Sequence, residues 1–168
     1  MAKSLTANIS VSITGNHTNP LDLGTAGLPF SDSLLIALTN GTGASMADLV
    51  FTDTRTLTAS ATEDLDLAAV LTDAYAAAIT FAKIKAIYFE AAAGNTNDVQ
   101  IQRATANGVP LFMAALDGLA VKPGGCFLWA CPGTGVTVTA GTGDLLTITN
   151  SAGTTSVTYD VIIIGTSA

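Results

Sequence analysis

Charge is what this chain has least of. Asp, Glu, Lys and Arg make up 11% of its 168 residues, against about 25% in ordinary globular domains. Only six residues are basic, and the net charge is −7 at pH 7. Phosphate binding needs clustered Lys and Arg, so a nucleic-acid role is excluded. Lys83 and Lys85 come nearest to a cluster, and their spacing predicts the solvated face of a strand.

Histidine is almost absent. His17 stands alone, and its neighbours Asn16, Thr18 and Asn19 offer no orienting carboxylate; Asp22 is the only one within reach. General acid–base and triad chemistry normally need such a pair. His17 therefore reads as a solvated loop residue. The two cysteines, Cys126 and Cys131, lie five apart. On an extended strand they point to opposite faces ~16 Å apart, too far for a disulfide. With no Cys or His nearby they make a poor metal site, and they read as small buried hydrophobes in a reducing compartment.

Long apolar helices and leader segments are missing too. The uncharged run Pro123–Gly143 holds six glycines, two prolines and four threonines, a poor membrane helix. Met1–Thr6 has no apolar core or cleavage site, so the expectation is a protein made in the cytoplasm, without a signal peptide or membrane contact. No glycine turn continues into Gly-Lys-Ser/Thr, and no Gly-x-Gly-x-x-Gly opens a helix.

What the chain does have is 49% hydrophobic residues, 16 glycines and much Thr, Val and Ile, the residues of pleated strands and tight turns. This length suits one domain. Leu5, Ala7, Ile9, Val11 and Ile13 alternate as in a half-buried strand. Gly15–Pro29 shows no period and reads as an irregular arm lying on a neighbour, so residues 1–30 form a strand and arm, and 31–168 the body. Leu49, Phe51, Asp53, Arg55 and Leu57 share a strand face. Ala-rich residues near 66–78 predict one short helix. Further strands are expected at Ile79–Phe89, Val99–Arg103, Leu119–Lys122, Gly125–Cys131, Val136–Ala140, Leu145–Asn150 and Val157–Gly165. The fold class is all-β: an antiparallel β-sandwich or jelly roll of nine or ten strands. Val161–Ile164, apolar on both faces, should be central or covered by a partner.

No grouping reaches a catalytic reading. Glu63, Asp64 and Asp66 could suit Ca²⁺ or glycoside hydrolysis, but they do not follow the calcium-loop spacing and read as a solvated face. Asp53 and Arg55 read as a structural ion pair. Trp129, inside Cys126–Cys131, reads as core and not as a sugar platform. No catalytic, cofactor-binding or metal residue is assigned, no cofactor is expected, and the chain is expected not to be an enzyme.

A likeness arises from a series of phrases: Thr72-Asp-Ala-Tyr, Ile79-Thr-Phe-Ala-Lys-Ile-Lys-Ala-Ile-Tyr, Val121-Lys-Pro-Gly-Gly, Phe127-Leu-Trp-Ala, Val138-Thr-Ala-Gly-Thr-Gly-Asp-Leu-Leu-Thr-Ile-Thr-Asn and Tyr159-Asp-Val-Ile-Ile-Ile-Gly. Over about Leu65–Gly165 the chain resembles virion structural proteins of tailed bacteriophages, most of all head-decoration (capsid cement) proteins. The resemblance implies a β-sandwich or jelly roll that binds the major capsid protein on the capsid exterior. It also implies a homo-oligomer, trimer or dimer, made in the bacterial host cytoplasm. Other virion parts (tail tube, head fibre, baseplate component) and a carbohydrate- or receptor-binding module are the alternatives.

Overall fold

A computed structural model describes residues 3–168. Twelve strands run along the chain: β1 Ala7–Leu21, β2 Gly24–Asn40, β3 Met46–Ala47, β4 Leu49–Leu57, β5 Thr62–Asp66, β6 Lys83–Ala91, β7 Val99–Arg103, β8 Gly118–Val121, β9 Cys126–Ala130, β10 Val136–Thr137, β11 Leu145–Asn150 and β12 Val157–Thr166. The described residues contain no helix, and the fold is all-β. Among the described residues every pairing of two strands is antiparallel except the short contact of β2 with β3.

The body holds two sheets. In one, β12 lies between β4 and β6, and β6 carries β9 and β10 on its far side. In the other the order is β5-β11-β7-β8. Alternate side chains of both sheets meet in one apolar cluster. Phe51, Ile87, Phe89, Tyr159, Val161 and Ile163 come from the first, and Leu65, Val99, Ile101, Val121, Leu146 and Ile148 from the second. Period-two alternation in the sequence becomes this shared core because each sheet buries one face.

Val161–Ile164 lies in β12, hydrogen-bonded on both sides. Val161 and Ile163 face the core, Ile164 is covered by residues of β1 and β2, and Ile162 looks outward. The central position expected of this run is therefore what the structure has.

Three expectations are corrected. The segment near 66–78 is not a helix. The Asp73 carboxylate accepts the N–H groups of Tyr75 and Ala77, each at 2.9 Å. Ile79 and Phe81 donate their backbone N–H groups to the carbonyls of Leu71 and Leu67, so Leu67, Leu71 and Ile79 enter the core on a folded-back loop. Thirteen residues are too few for alanine propensity to prevail over that burial.

The second correction is Gly15–Pro29, which is not irregular. It is the outer part of an unbroken ladder from Ala7–Leu38 to Leu21–Gly24, closed by Asp22 and Leu23. Pro20 and Pro29 lie one and five pairs from the closing pair Leu21–Gly24. Both therefore take non-hydrogen-bonded positions, where a missing N–H faces the open edge and removes no ladder bond.

Lys85 is the third correction. It is 2% exposed, because the register of β12 against β6 shifts between Ile164 and Gly165, which pair with Ala86 and Ile84 and pass Lys85 by. A bulge re-aims the side chain at that point. Its Nζ donates to the carbonyls of Gly133 (2.5 Å) and Pro132 (3.2 Å). Burial, with Lys83 nearby, holds its pKa below the ordinary lysine value.

Candidate adhesive surface

The ladder of β1 and β2 makes a two-stranded ribbon with two unlike faces. Odd-numbered residues of β1 and their partners on β2 form one: Ala7–Leu38, Ile9–Ile36, Val11–Leu34, then Gly15–Phe30 and His17–Leu28. The other is Asn8, Ser10, Ser12, Thr14, Asn16 and Thr18 with mostly small or polar partners. A one-residue slip would exchange the faces, so the pattern fixes the register.

The root of the apolar face is buried on the body. Leu38, Ala7, Ile9 and Ile36 pack with Ala86, Ile164, Val50 and Ala130, which project from the outer side of the five-stranded sheet. Beyond the root the same face continues uncovered. Ile13, Leu28, Phe30 and Leu34 are each more than half exposed. The Phe30 ring lies over Gly15, where an added Cβ would come within 2.7 Å of its Cε1 atom. That glycine–aromatic pairing keeps the ring flat on the ribbon. His17 belongs to this strand and not to a loop. Asp32 lies opposite Ile13, its Oδ1 accepting the Ser33 N–H at 2.9 Å.

Beside the root is a groove of about 230 Å³ whose lining includes Ile9, Ala86, Tyr88, Leu128, Ile162 and Ile164. Further out on the same sheet, Tyr88 donates its hydroxyl to Glu90 (2.6 Å) and Thr54 donates to Asp160 (2.5 Å). The bond to Glu90, then burial and the surrounding negative charge, pushes the Tyr88 phenol up to about 12.

Of the other residues singled out in the sequence, Asp53 and Arg55 do pair, at 2.8 Å. Their spacing did not reveal Glu63, which takes Arg55 Nη2 at 2.5 Å and the Tyr159 hydroxyl at 2.6 Å. Burial raises the Glu63 pKa, but the hydrogen bonds from Arg55 and Tyr159 outweigh it and hold the carboxyl below its usual value. Asp64 accepts from Thr147, and Asp66 from the Ala68 N–H, so the three acids serve three separate contacts. Trp129 is half-buried against the core, as the sequence suggested. Cys126 is exposed and Cys131 half-buried, both as free thiols. The expected burial of Cys126 fails because Phe127 and Trp129 take the inward positions of β9. Among the described residues no group of three or more His, Cys, Asp or Glu is placed to hold a metal ion, and no helix is long and apolar enough to cross a membrane.

The Glu63 contacts give a measurable expectation. Glu63→Ala strands a half-buried guanidinium and a buried phenol, and should cost about 2–3 kcal/mol, read as a lower urea midpoint. Because the folded pKa is depressed, the carboxylate's contribution is complete above about 4.3, the ordinary Glu value, and disappears as pH falls through the lower folded one. Glu63→Gln should flatten that part of the acid limb. An unchanged limb would assign acid sensitivity to other carboxylates.

Comparisons of the chain with family models, curated proteins and solved structures return no match.

Proposed function

We propose that this chain is a non-enzymatic structural protein that works by adhesion: a decoration, or cement, protein on the outer surface of a tailed-bacteriophage capsid. The observation that carries the reading is the ribbon, whose apolar face runs off the body and stays uncovered. A two-stranded ribbon is marginal in water by itself. One this long, with an apolar strip and few charges, suits a permanent contact better than a transient one.

Strand order supports a jelly-roll sandwich beneath the ribbon. Leaving aside the ribbon strands and the two-residue strands, the body has eight. Numbered along the chain from β4 to β12, they run first-eighth-third-sixth in one sheet and second-seventh-fourth-fifth in the other. That order is a long antiparallel hairpin rolled up on itself, the arrangement used by viral capsid and lectin domains among others. Fold alone does not choose between them. The uncovered ribbon favours the virion reading, and Trp129, packed on the core, is poorly placed to stack on a sugar.

In this reading the partner is the major capsid protein, and the adhering protein covers joints between shell subunits, adding buried area that resists internal pressure. Heads lacking the protein should bind it to saturation at a fixed ratio to the shell subunit and should then survive higher temperature, as counted by mass spectrometry of purified particles. Absence of head binding would overturn the proposal. Stacked hexameric rings would point to a tail tube, and glycan retention abolished by Trp129→Ala would point to a carbohydrate-binding module.

A further inference from the structure

We infer that the overhanging part of the ribbon is an exchanged arm, seated apolar face down in the groove beside the ribbon root of a second copy of this chain. The inference deepens the adhesive reading and rests on it, but it concerns contact between copies and not contact with a shell.

Continuity carries the argument. At the root, this ribbon face already packs on the outer side of the five-stranded sheet, through Ala7, Ile9, Ile36 and Leu38. The next rungs present the same kind of side chain: Leu34, Ile13, Phe30 and Leu28. Next to the root, on the same sheet, the groove offers Tyr88, Leu128 and Ile162. Strip and groove are thus the two unfinished parts of one type of contact. The unbroken ladder runs on past the buried root, and its outer rungs are exposed. The chain's own outer rungs are therefore exposed while its groove stays open, and a second copy's arm brings the matching face to it.

Charge and size agree with that occupant. The groove lining contains no Asp, Glu, Lys or Arg. The ribbon has no Lys or Arg, and its carboxylates are Asp22 at the tip and Asp32, which must stay at the wet margin of the contact. The overhang from Ser12–Ser33 to Leu21–Gly24 measures about 33 Å by about 10 Å, from the rise and spacing of paired strands. A copy that gives one arm and receives one covers roughly 660 Å² in projection, close to the ~800 Å² per partner of a standard interface. Reciprocal exchange closes a dimer, and one-way exchange closes a ring.

Native mass spectrometry and light scattering of the full chain at tens of micromolar test this. The wild type should be a closed oligomer. The arm variant Leu28→Ser/Phe30→Ser/Leu34→Ser and the groove variant Leu128→Lys/Ile162→Lys should each be monomeric, associating at least about 100-fold more weakly. Because the arm positions are each more than half exposed and belong to neither core cluster, the arm variant should keep the wild-type circular dichroism spectrum. An equimolar mixture of the two variants should yield a one-to-one dimer, since one intact arm then meets one intact groove. Salt should strengthen wild-type association by screening two copies of net charge −7. A monomeric wild type, an arm variant that stays oligomeric, variants that fail to complement, or dissociation by salt would each overturn the inference. Oligomers that assemble as described but ignore heads would leave it standing and would sink the capsid reading instead.

Discussion

Asn150→Ala should lower stability by about 4 kcal/mol, which for a chain of this length is a fall in Tm of roughly 8–16 °C. Asn150 is 2% exposed and ends β11. Its Nδ2 donates toward the carbonyls of Thr155 (2.7 Å), Thr58 (3.0 Å) and Leu57 (3.4 Å). Two hydrogens thus serve three acceptors, one of them shared. Its Oδ1 accepts from Asn97 Nδ2 (3.0 Å) and the Ala152 N–H (3.3 Å). One amide therefore ties the end of β4 to the turn between β11 and β12 and to the loop before β7. Alanine leaves those groups buried without partners, and each orphan costs about 1–3 kcal/mol before any water enters.

Asn150→Asp should be at least as damaging, because it points a second acceptor at three carbonyls. Asn97→Ala should cost less, and the double variant less than the sum, since the two amides share a network. Thermal melts followed by circular dichroism check all three. A loss under about 1 kcal/mol for Asn150→Ala would mean that the turn carbonyls find water instead.

Body strands were legible in the sequence because burial on one face prints a period of two. Leu49-Phe51 and Leu57 on β4, or Val157-Tyr159-Val161-Ile163 on β12, show it directly; the described residues hold twelve strands against the nine or ten expected, and β10 keeps only Val136–Thr137 of the expected Val136–Ala140. Features decided between distant residues were not legible. Asn97 and Asn150 are 53 apart, and Glu63 reaches Tyr159 across 96 residues, so no local spacing announces either contact. Lys85 looked solvated because alternation was counted straight through a bulge. The ribbon beyond Ile13 was hidden for a different reason. Its Asn, Gly and Pro residues have little strand preference, and its partner strand starts only after the turn at Asp22 and Leu23. What holds it extended is register inherited from the root, together with open edges that tolerate two prolines. The candidate surface was thus half visible: the sequence placed an arm in the right segment without its shape or its apolar face.

Gly165→Val should be the most damaging single change in β12, costing about 4 kcal/mol or preventing soluble expression, with Gly165→Ala costing about 3 kcal/mol. Gly165 sits where the β12–β6 register shifts. A Cβ there would press on the backbone carbonyl of Lys83 and lie 2.7 Å from Cδ1 of Phe81. Phe81 is buried and the carbonyl belongs to β6, so neither can swing aside. The glycine is required for space and not for conformation, since its φ lies outside the left-handed region. Gly24 and Gly94 are the controls: a Cβ meets nothing within 4 Å at either, and Ala there should be neutral or slightly stabilising through a less flexible unfolded chain. Urea midpoints with unchanged slopes would show that the native state alone is affected. The change should also travel. Pushing β6 away at Lys83 disturbs the bulge that turns Lys85 inward, and with it the contacts of Lys85 Nζ to the Pro132 and Gly133 carbonyls. Gly165→Ala should therefore speed amide exchange in the loop 131–135, which the substitution itself does not touch. Equal exchange there would separate the bulge from the loop it supports.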